Sequence, residues 1–320
     1  MPSTPALREA AAGPQVVAVI GPTATGKSDL AVALALTLEG EVVNADASQL
    51  YRGMDVGTAK LSPSARRGVP HHLLDVLDVT QEASVAAYQA SARAAVADVL
   101  ARSRVPVLVG GSGLYLRAVL DPLAFPGTDP AVRARWEGEA ARLGPQRLHA
   151  VLAERDPAAA AAILASNVRR VVRALEVGEL TGGPFAATLP HHEHVRPTVQ
   201  IGLDRNRAEL DQRIEQRVDA MLGAGFLAEV RDLEARGLRR GRTASAALGY
   251  RQLLDHLDGT LTLARAREET VRATRAFARR QQKWFRRDPR TTWLDAGAHD
   301  LAGLTAAALA VVGAHRSGDV

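Results

Sequence analysis

The feature that most restricts how this chain can fold is the run Gly21-Pro22-Thr23-Ala24-Thr25-Gly26-Lys27-Ser28, set between the apolar stretch Val16–Ile20 and an Ala/Leu-rich segment at 29–38. Strand, glycine-bounded turn and helix in that order are the context that a phosphate-binding loop of the form G-x-x-x-x-G-K-[ST] requires. The backbone explains the spacing. Gly21 and Gly26 let the turn close without a Cβ, so successive N–H groups converge on one hollow at a helix N-terminus, where the helix dipole favours an anion. Lys27 adds a full positive charge. The Ser28 hydroxyl can take a Mg²⁺ that bridges phosphate oxygens, an ion that keeps several waters and needs few protein ligands. The loop reads oxyanions and nothing of what hangs from them.

Further apolar runs at 41–46 (EVVNAD), 70–76, 105–109 and 197–203 read as strands separated by helical sequence, which predicts an α/β core with a parallel sheet flanked by helices. Asp46 closes the second run. In open α/β sheets ligands bind beyond the carboxyl ends of the strands, so Asp46 belongs on the rim that carries the phosphate loop; equally, an Asp there can cap the following turn. The strand at 105–109 runs into Gly110-Gly111-Ser112, where a nucleotide-hydrolysing protein has an acid that holds Mg²⁺ through water. The glycines allow a ligand close to the backbone, and Ser112 can either donate to an oxyanion or cap a helix. Adjacent His71 and His72 face opposite sides of a strand and cannot share a metal.

From residue 121 the texture changes. Prolines 122, 126 and 130 lead into Ala/Arg/Glu-rich helical sequence over 131–180, broken at Gly144-Pro145 and Asp156-Pro157 and free of strand patterns, which predicts an all-helical insertion. The expected organisation is a leader at 1–13, a core from 14–120 and 195–320, and an insertion at 121–194. Residues 206–236 read as one long helix with Arg213 and Arg217 a turn apart. With 320 residues, no apolar run long enough to span a bilayer and no cysteine, the chain is expected to be a cytoplasmic protein without disulfides or thiolate metal sites.

Charge is where composition matters. The net charge of +5 is local: residues 265–290 hold ten basic and three acidic side chains, whereas 121–190 and 204–264 are each neutral. On a helix Arg272, Arg275, Arg279, Lys283 and Arg286 form one stripe, with Trp284 and Phe285 at its end. Such a stripe, with few carboxylates a turn away, repels itself unless a polyanion lies along it, so nucleic acid accounts for it better than a solvated face. Only three lysines occur against 37 arginines. Lys27 is therefore a chemical choice, a compact ammonium that the planar guanidinium does not replace.

Taken together, GPTATGKS (21–28), DASQLYRGMDVGTAK (46–60), HHLLDV (71–76), LVGGSGLYLRAVL (108–120), RRVVRALEV (169–177), RIEQRVDAML (213–222), LGYRQLLDHLDG (248–259) and TRAFARRQQKWFRR (274–287) closely resemble the bacterial tRNA dimethylallyltransferases, over nearly the whole length from 16 to 287. The resemblance implies a P-loop NTPase-like core with a helical insertion. It also implies transfer of a dimethylallyl group from its diphosphate to the exocyclic amine of the adenosine just 3′ of the anticodon, with tRNA, dimethylallyl diphosphate and Mg²⁺ as partners and a monomeric chain. Asp46 is then the base. Lys27, Ser112, the loop at 21–28, Arg213 and Arg217 stabilise the departing diphosphate. By the same resemblance Asp46, Ala47, Ser48, Gln49, Ser112, Arg133, Arg169, Arg170, Val171, Val172 and Arg173 contact tRNA, whose target base is flipped out of its stack. Ser112 stands where the family usually has Thr, and Ser166-Asn167 where it usually has Asn-Asp. A kinase acting on a small molecule or nucleotide shares the loop but leaves the stripe without a purpose; a non-catalytic RNA-binding protein leaves Lys27 and Asp46 without one.

Overall fold

Val16–Ile20 (β1) is apolar at every position, and a strand apolar on both faces must be covered on both. The computed structural model, which describes residues 16–185 and 192–317, meets that requirement with a central parallel sheet between two layers of helices; the expected leader at 1–13 lies outside the described residues. In chain order the first elements are β1, α1 (Lys27–Thr37), β2 (Glu41–Asn44), β3 (His71–His72), α2 (Val85–Ala101), β4 (Pro106–Gly110) and α3 (Gly113–Leu120). A run of helices follows: α4 (Pro130–Leu143), α5 (Pro145–Arg155), α6 (Pro157–Ala162) and α7 (Val168–Thr181). The chain then forms β5 (Thr198–Asp204), α8 (Arg207–Gly223), α9 (Phe226–Ala235), α10 (Tyr250–Leu257), α11 (Leu263–Phe285), β6 (Thr291–Asp295) and α12 (Leu301–Ser317).

The strand order is β3-β2-β4-β1-β5-β6, with every neighbouring pair parallel. Alternation along β1 divides the core. Val17 and Val19 pack with Leu30 and Leu34 of α1 and Leu304 and Ala308 of α12, whereas Val16, Ala18 and Ile20 pack with Tyr88 and Val96 of α2, Leu116 of α3 and Phe285 of α11. Each large aliphatic side chain buried this way contributes about 1.5 to 3 kcal/mol. At the opposite end of the sheet from the phosphate loop, buried Glu41 opens β2 between Arg102 and His72. The guanidinium of Arg102, despite the cost of burial, holds its carboxyl down at about 2.

Two expectations fail here. The strand expected over 70–76 is only two residues long, because Leu73 and Asp75 adopt left-handed backbone (φ 62° and 57°) that breaks the ladder. The single helix expected over 206–236 is two, α8 and α9, divided at Gly225 with φ 94°.

By its contacts the chain divides into two compact units, residues 16–121 with 192–317 and residues 122–185. The second is entirely helical. Its helices α4, α5 and α6 each begin with proline, whose missing N–H costs nothing there, and Asp129 and Asp156 cap α4 and α6 by accepting from Ala131 and Ala159. Trp136, Leu148, Leu152, Val171 and Leu175 fill its core. In the larger unit the chain leaves and re-enters at one point: the Val195 N–H donates to the Leu120 carbonyl at 2.8 Å. Beside that point buried Asp121 pairs with Arg117 and with Arg290. Among the described residues no helix is long and apolar enough to cross a membrane.

Candidate active site

Because all the strands run the same way, the loops after β1, β2 and β4 emerge on one rim, where Ile20 pairs with Gly110 and Asn44 with Val109. Between them lies a cavity of about 420 Å³. Its walls are Thr23, Ala24, Gly26, Lys27, Ser28 and Asp29 after β1, Asn44, Asp46 and Gln49 around the end of β2, Thr58, Ala59 and Leu61, Val109, Gly110 and Gly111 at the end of β4, Arg213, Gln216 and Arg217 of α8, and Phe277 and Gln281 of α11.

The loop is shaped by its own backbone. Gly21 has φ 137°, and a Cβ there would lie 2.5 Å from the Leu203 carbonyl oxygen, so only glycine lets the chain turn off β1. Buried Thr25 closes the turn by donating from its hydroxyl to the Pro22 carbonyl at 2.9 Å, and the Lys27 ammonium donates to the same carbonyl at 2.5 Å. Gly21, Pro22 and Thr25 thus shape the hollow without lining it. Lys27 is half-buried and its side chain lines the cavity. Burial and the neighbouring Arg217 bring its pKa down to about 7, with Asp46 opposing. Arg213 donates to the Ala24 carbonyl (3.1 Å) and Arg217 to the Thr58 carbonyl (3.4 Å), so two guanidinium groups and one ammonium converge on one space. That arrangement suits a multiply charged oxyanion.

Of the loop N–H groups that the motif directs at an anion, that of Thr23 is already engaged: it donates to Gln281 Oε1 at 3.0 Å. Gly110 and Gly111 line the cavity, and their lack of a Cβ also serves the fold: one on Gly110 would strike the Ala45 carbonyl and one on Gly111 would strike Gln281 Nε2, as one on Gly113 would strike the Trp284 ring.

Asp46 stands on the rim and steadies the chain that follows it. Its Oδ1 accepts from the Ser48 N–H at 2.9 Å, two residues on, while Oδ2 has no hydrogen-bond partner among the described residues and the side chain lines the cavity. Asn44 fixes it from behind, accepting from the Asp46 N–H and donating to the Asp46 and Leu73 carbonyls, each at 3.0 Å. Ser112 sits at the N-cap position of α3 without capping it. Its hydroxyl accepts from the Ala47 N–H at 3.3 Å, and it lies behind the cavity wall. The wall at Thr58 and Ala59 is held by Glu229, whose carboxylate accepts from the N–H groups of Asp55, Val56 and Gly57 (3.0, 2.6 and 3.1 Å) and from the Tyr250 hydroxyl (2.6 Å). Asn44 and Glu229 lie in none of the quoted motifs, and Gln281 lies in one without any role assigned to it. The nearest hint is the Gln-Gln pair interrupting the basic run at 279–287.

The residues expected to meet RNA separate into groups. Gln49 lines the cavity, whereas Ala47 and Ser48 lie in the turn behind it. Arg169 and Arg170 are exposed on α7. Arg133 and Arg173 both bond Glu176, at 2.6 and 2.8 Å; burial works to raise that carboxyl's pKa, but the two arginines hold it below the ordinary value. Val171 and Val172, expected to contact tRNA, have their side chains in the core of the helical unit. The stripe on α11 is also less bare than its spacing implies. Arg272 pairs with Glu269, Arg275 with Glu215 (2.9 Å) and Arg286 with Asp204, leaving Arg279 and Lys283 exposed and without an ionic partner among the described residues.

As to a metal, no group of three or more His, Asp or Glu side chains that could hold an ion exists among the described residues. The donor set fits an ion that takes one hydroxyl, from Ser28, and completes its shell with water and phosphate oxygens.

Known proteins resemble this chain throughout. A protein from Kineococcus radiotolerans named tRNA dimethylallyltransferase is 69% identical over 287 residues, covering 88% of this chain and 90% of its own. One of the same name from Streptomyces avermitilis is 63% identical over 299 residues, covering 93% and 96%. The crystal structure of a full-length tRNA isopentenylpyrophosphate transferase from Bacillus halodurans superposes with a TM-score of 0.69 at 38% identity, covering 95% of this chain and 99% of that one. A eukaryotic dimethylallyltransferase acting on tRNA gives 0.74 at 27% identity, covering 88% and 73%. The sequence model of the IPP transferase family matches residues 49–288, and the chain belongs to that family.

Proposed function

We propose that this protein transfers the dimethylallyl group of dimethylallyl diphosphate to the N6 amine of an adenosine in tRNA, the one 3′ of the anticodon, and releases diphosphate. The observation that carries the reading is the cavity itself, with Lys27, Arg213 and Arg217 on one side and the free carboxylate oxygen of Asp46 on the other. Cations alone suit many phosphate esters. A carboxylate facing them suits a reaction in which a proton leaves the nucleophile while charge grows on a phosphate oxygen.

In this mechanism the adenine N6 attacks C1 of the allylic chain, the C1–O bond breaks, and its electron pair passes to the diphosphate. The amine's lone pair is delocalised into the ring, so removal of its proton by Asp46 Oδ2 makes the attack easier. Asn44 and the Ser48 N–H keep that carboxylate aimed into the cavity. The N–H groups from Ala24 to Ser28, with Lys27, Arg213 and Arg217, stabilise the leaving group. Mg²⁺ held by Ser28 supplies charge neutralisation on the diphosphate when bound. The exposed Arg279 and Lys283 on α11 and Arg169 and Arg170 on α7 carry the RNA backbone.

The test is incubation of the protein with unmodified tRNA and either dimethylallyl diphosphate or ATP. Diphosphate release with a prenylated adenosine is expected from the first and no ADP from the second; stoichiometric ADP would establish a kinase instead. Asp46→Asn keeps the shape but cannot accept the proton, so turnover should drop by about 10²-fold or more with tRNA affinity little changed. Unaltered turnover in that variant would remove Asp46 from the mechanism.

A further inference from the structure

Gln281 is 6% exposed, sits in the last turns of α11, and makes two hydrogen bonds that run in opposite directions across the rim. Its Oε1 accepts from the Thr23 N–H at 3.0 Å and its Nε2 donates to the Gly111 carbonyl at 2.8 Å. One face of the amide must accept and the other must donate, so the side chain has a single orientation that satisfies both loops. The contact is built into its surroundings: Gly111 has no room for a Cβ beside Nε2, and Ala24 of the loop packs with Ala278, one turn earlier on α11. The chain of contacts continues, because the residue after Gly111 is Ser112, whose hydroxyl holds the Ala47 N–H next to Asp46.

We infer that Gln281 is a positioning residue for the transfer reaction, fixing the distance between the phosphate loop that holds the leaving group and the β4–α3 turn that steadies the Asp46 base. The inference rests on the proposed function and extends it to a side chain that reacts with nothing. Its chemical content is geometric. Attack at carbon and departure of diphosphate need nucleophile, carbon and oxygen close to a line. The electrophile is held by one loop and the base by another, so an error in their separation appears in the chemical step more than in the affinity for either substrate. The bridge also fixes which N–H groups remain for the anion, since that of Thr23 is occupied and the hollow begins at Ala24.

The experiment is single-turnover transfer at saturating tRNA and dimethylallyl diphosphate, with the Kd of tRNA and of inorganic diphosphate measured on the same preparations. Gln281→Met keeps the length and loses both hydrogen bonds. Its rate constant should fall by on the order of 10²-fold while tRNA binds within about twofold of the parent, the pattern of an interaction that matters in the transition state. Gln281→Glu keeps the acceptor for Thr23 and sets a carboxylate against the Gly111 carbonyl; it should lose rate and, through its charge, more diphosphate affinity than Gln281→Met loses. A purely structural role would lower the melting temperature and leave the rate constant of the folded fraction alone. A Gln281→Met rate constant within about threefold of the parent overturns the inference, and if that variant does not fold the same criterion applies to Gln281→Glu. Should the parent itself transfer nothing, the proposed function fails, and diphosphate binding decides separately: about tenfold weaker binding by Gln281→Met is expected, and equal binding overturns the bridge.

Discussion

Lys27 shows how a single residue can be set for a ligand before the ligand arrives. In the free protein its ammonium has one carbonyl, that of Pro22, as hydrogen-bond partner, and burial together with Arg217 draws its pKa from 10.5 to about 7. The unfolded chain binds its proton up to about pH 10.5 and the folded chain only up to about 7. Between those values the unfolded state holds more protons, and the stability of the free protein should rise with pH across that window. A bound diphosphate favours the charged form, so above about pH 7 binding takes up a proton and affinity falls as pH rises. Calorimetry with inorganic diphosphate at about pH 8, in buffers of different ionisation heat, should show close to one proton more taken up by the parent than by Lys27→Met. Equal uptake in the two proteins would mean that Lys27 is already charged when the site is empty. The loop and its lysine are legible in the sequence because their spacing is local. The neighbour that perturbs the lysine, Arg217, is not, because only the packing of α8 brings it there.

At the scale of an element, α11 does two jobs on two faces. Its inner face carries Ala278, Gln281 and Phe285 against the sheet and the phosphate loop, while Arg279 and Lys283 stand on the outer face with no ionic partner among the described residues. Phosphate contacts position without specifying sequence. Replacing Arg279 and Lys283 by Gln should therefore weaken tRNA binding at low salt and lower the slope of log K against log salt by about 2, roughly one per lost contact, with the chemical rate at saturation preserved. Arg275→Gln should leave that slope unchanged and lower the melting temperature, since Arg275 is committed to Glu215 and to the Asp211 carbonyl. An equal loss of slope in all three positions would show that the ion pairs open to RNA. Periodicity is enough to identify the helix and its basic stripe. It does not separate free from neutralised arginines, because the carboxylate that pairs with Arg275 lies 60 residues away in sequence.

For the whole molecule, the parallel core follows from apolar runs such as VVAVI and PVLVG, which have no polar face and so demand cover on both sides. The ends of the sheet are less legible. β6 reads TTWLD, partly exposed along its length, and β3 is cut to two residues by left-handed backbone at Leu73 and Asp75 that no glycine announces. The site is half visible for a similar reason: motifs reveal the loop and Asp46, whereas Asn44, Glu229 and Gln281 act through hydrogen bonds to backbone and leave no composition signal.

The hydrogen bond from Val195 to Leu120 has one more consequence, for the chain as something that can be cut and rejoined. A segment whose two ends meet at a single point of a finished core is a graft, and a graft can be removed. Replacing residues 122–191 by a linker of a few glycines and serines shortens the loop closed between those ends about tenfold, which should stabilise the core by about 2 kcal/mol of chain entropy. The excised protein should unfold in one cooperative step and bind inorganic diphosphate like the parent, yet fail to modify tRNA. An excised chain that does not fold would show that the helical unit is part of the foundation and not an addition to it.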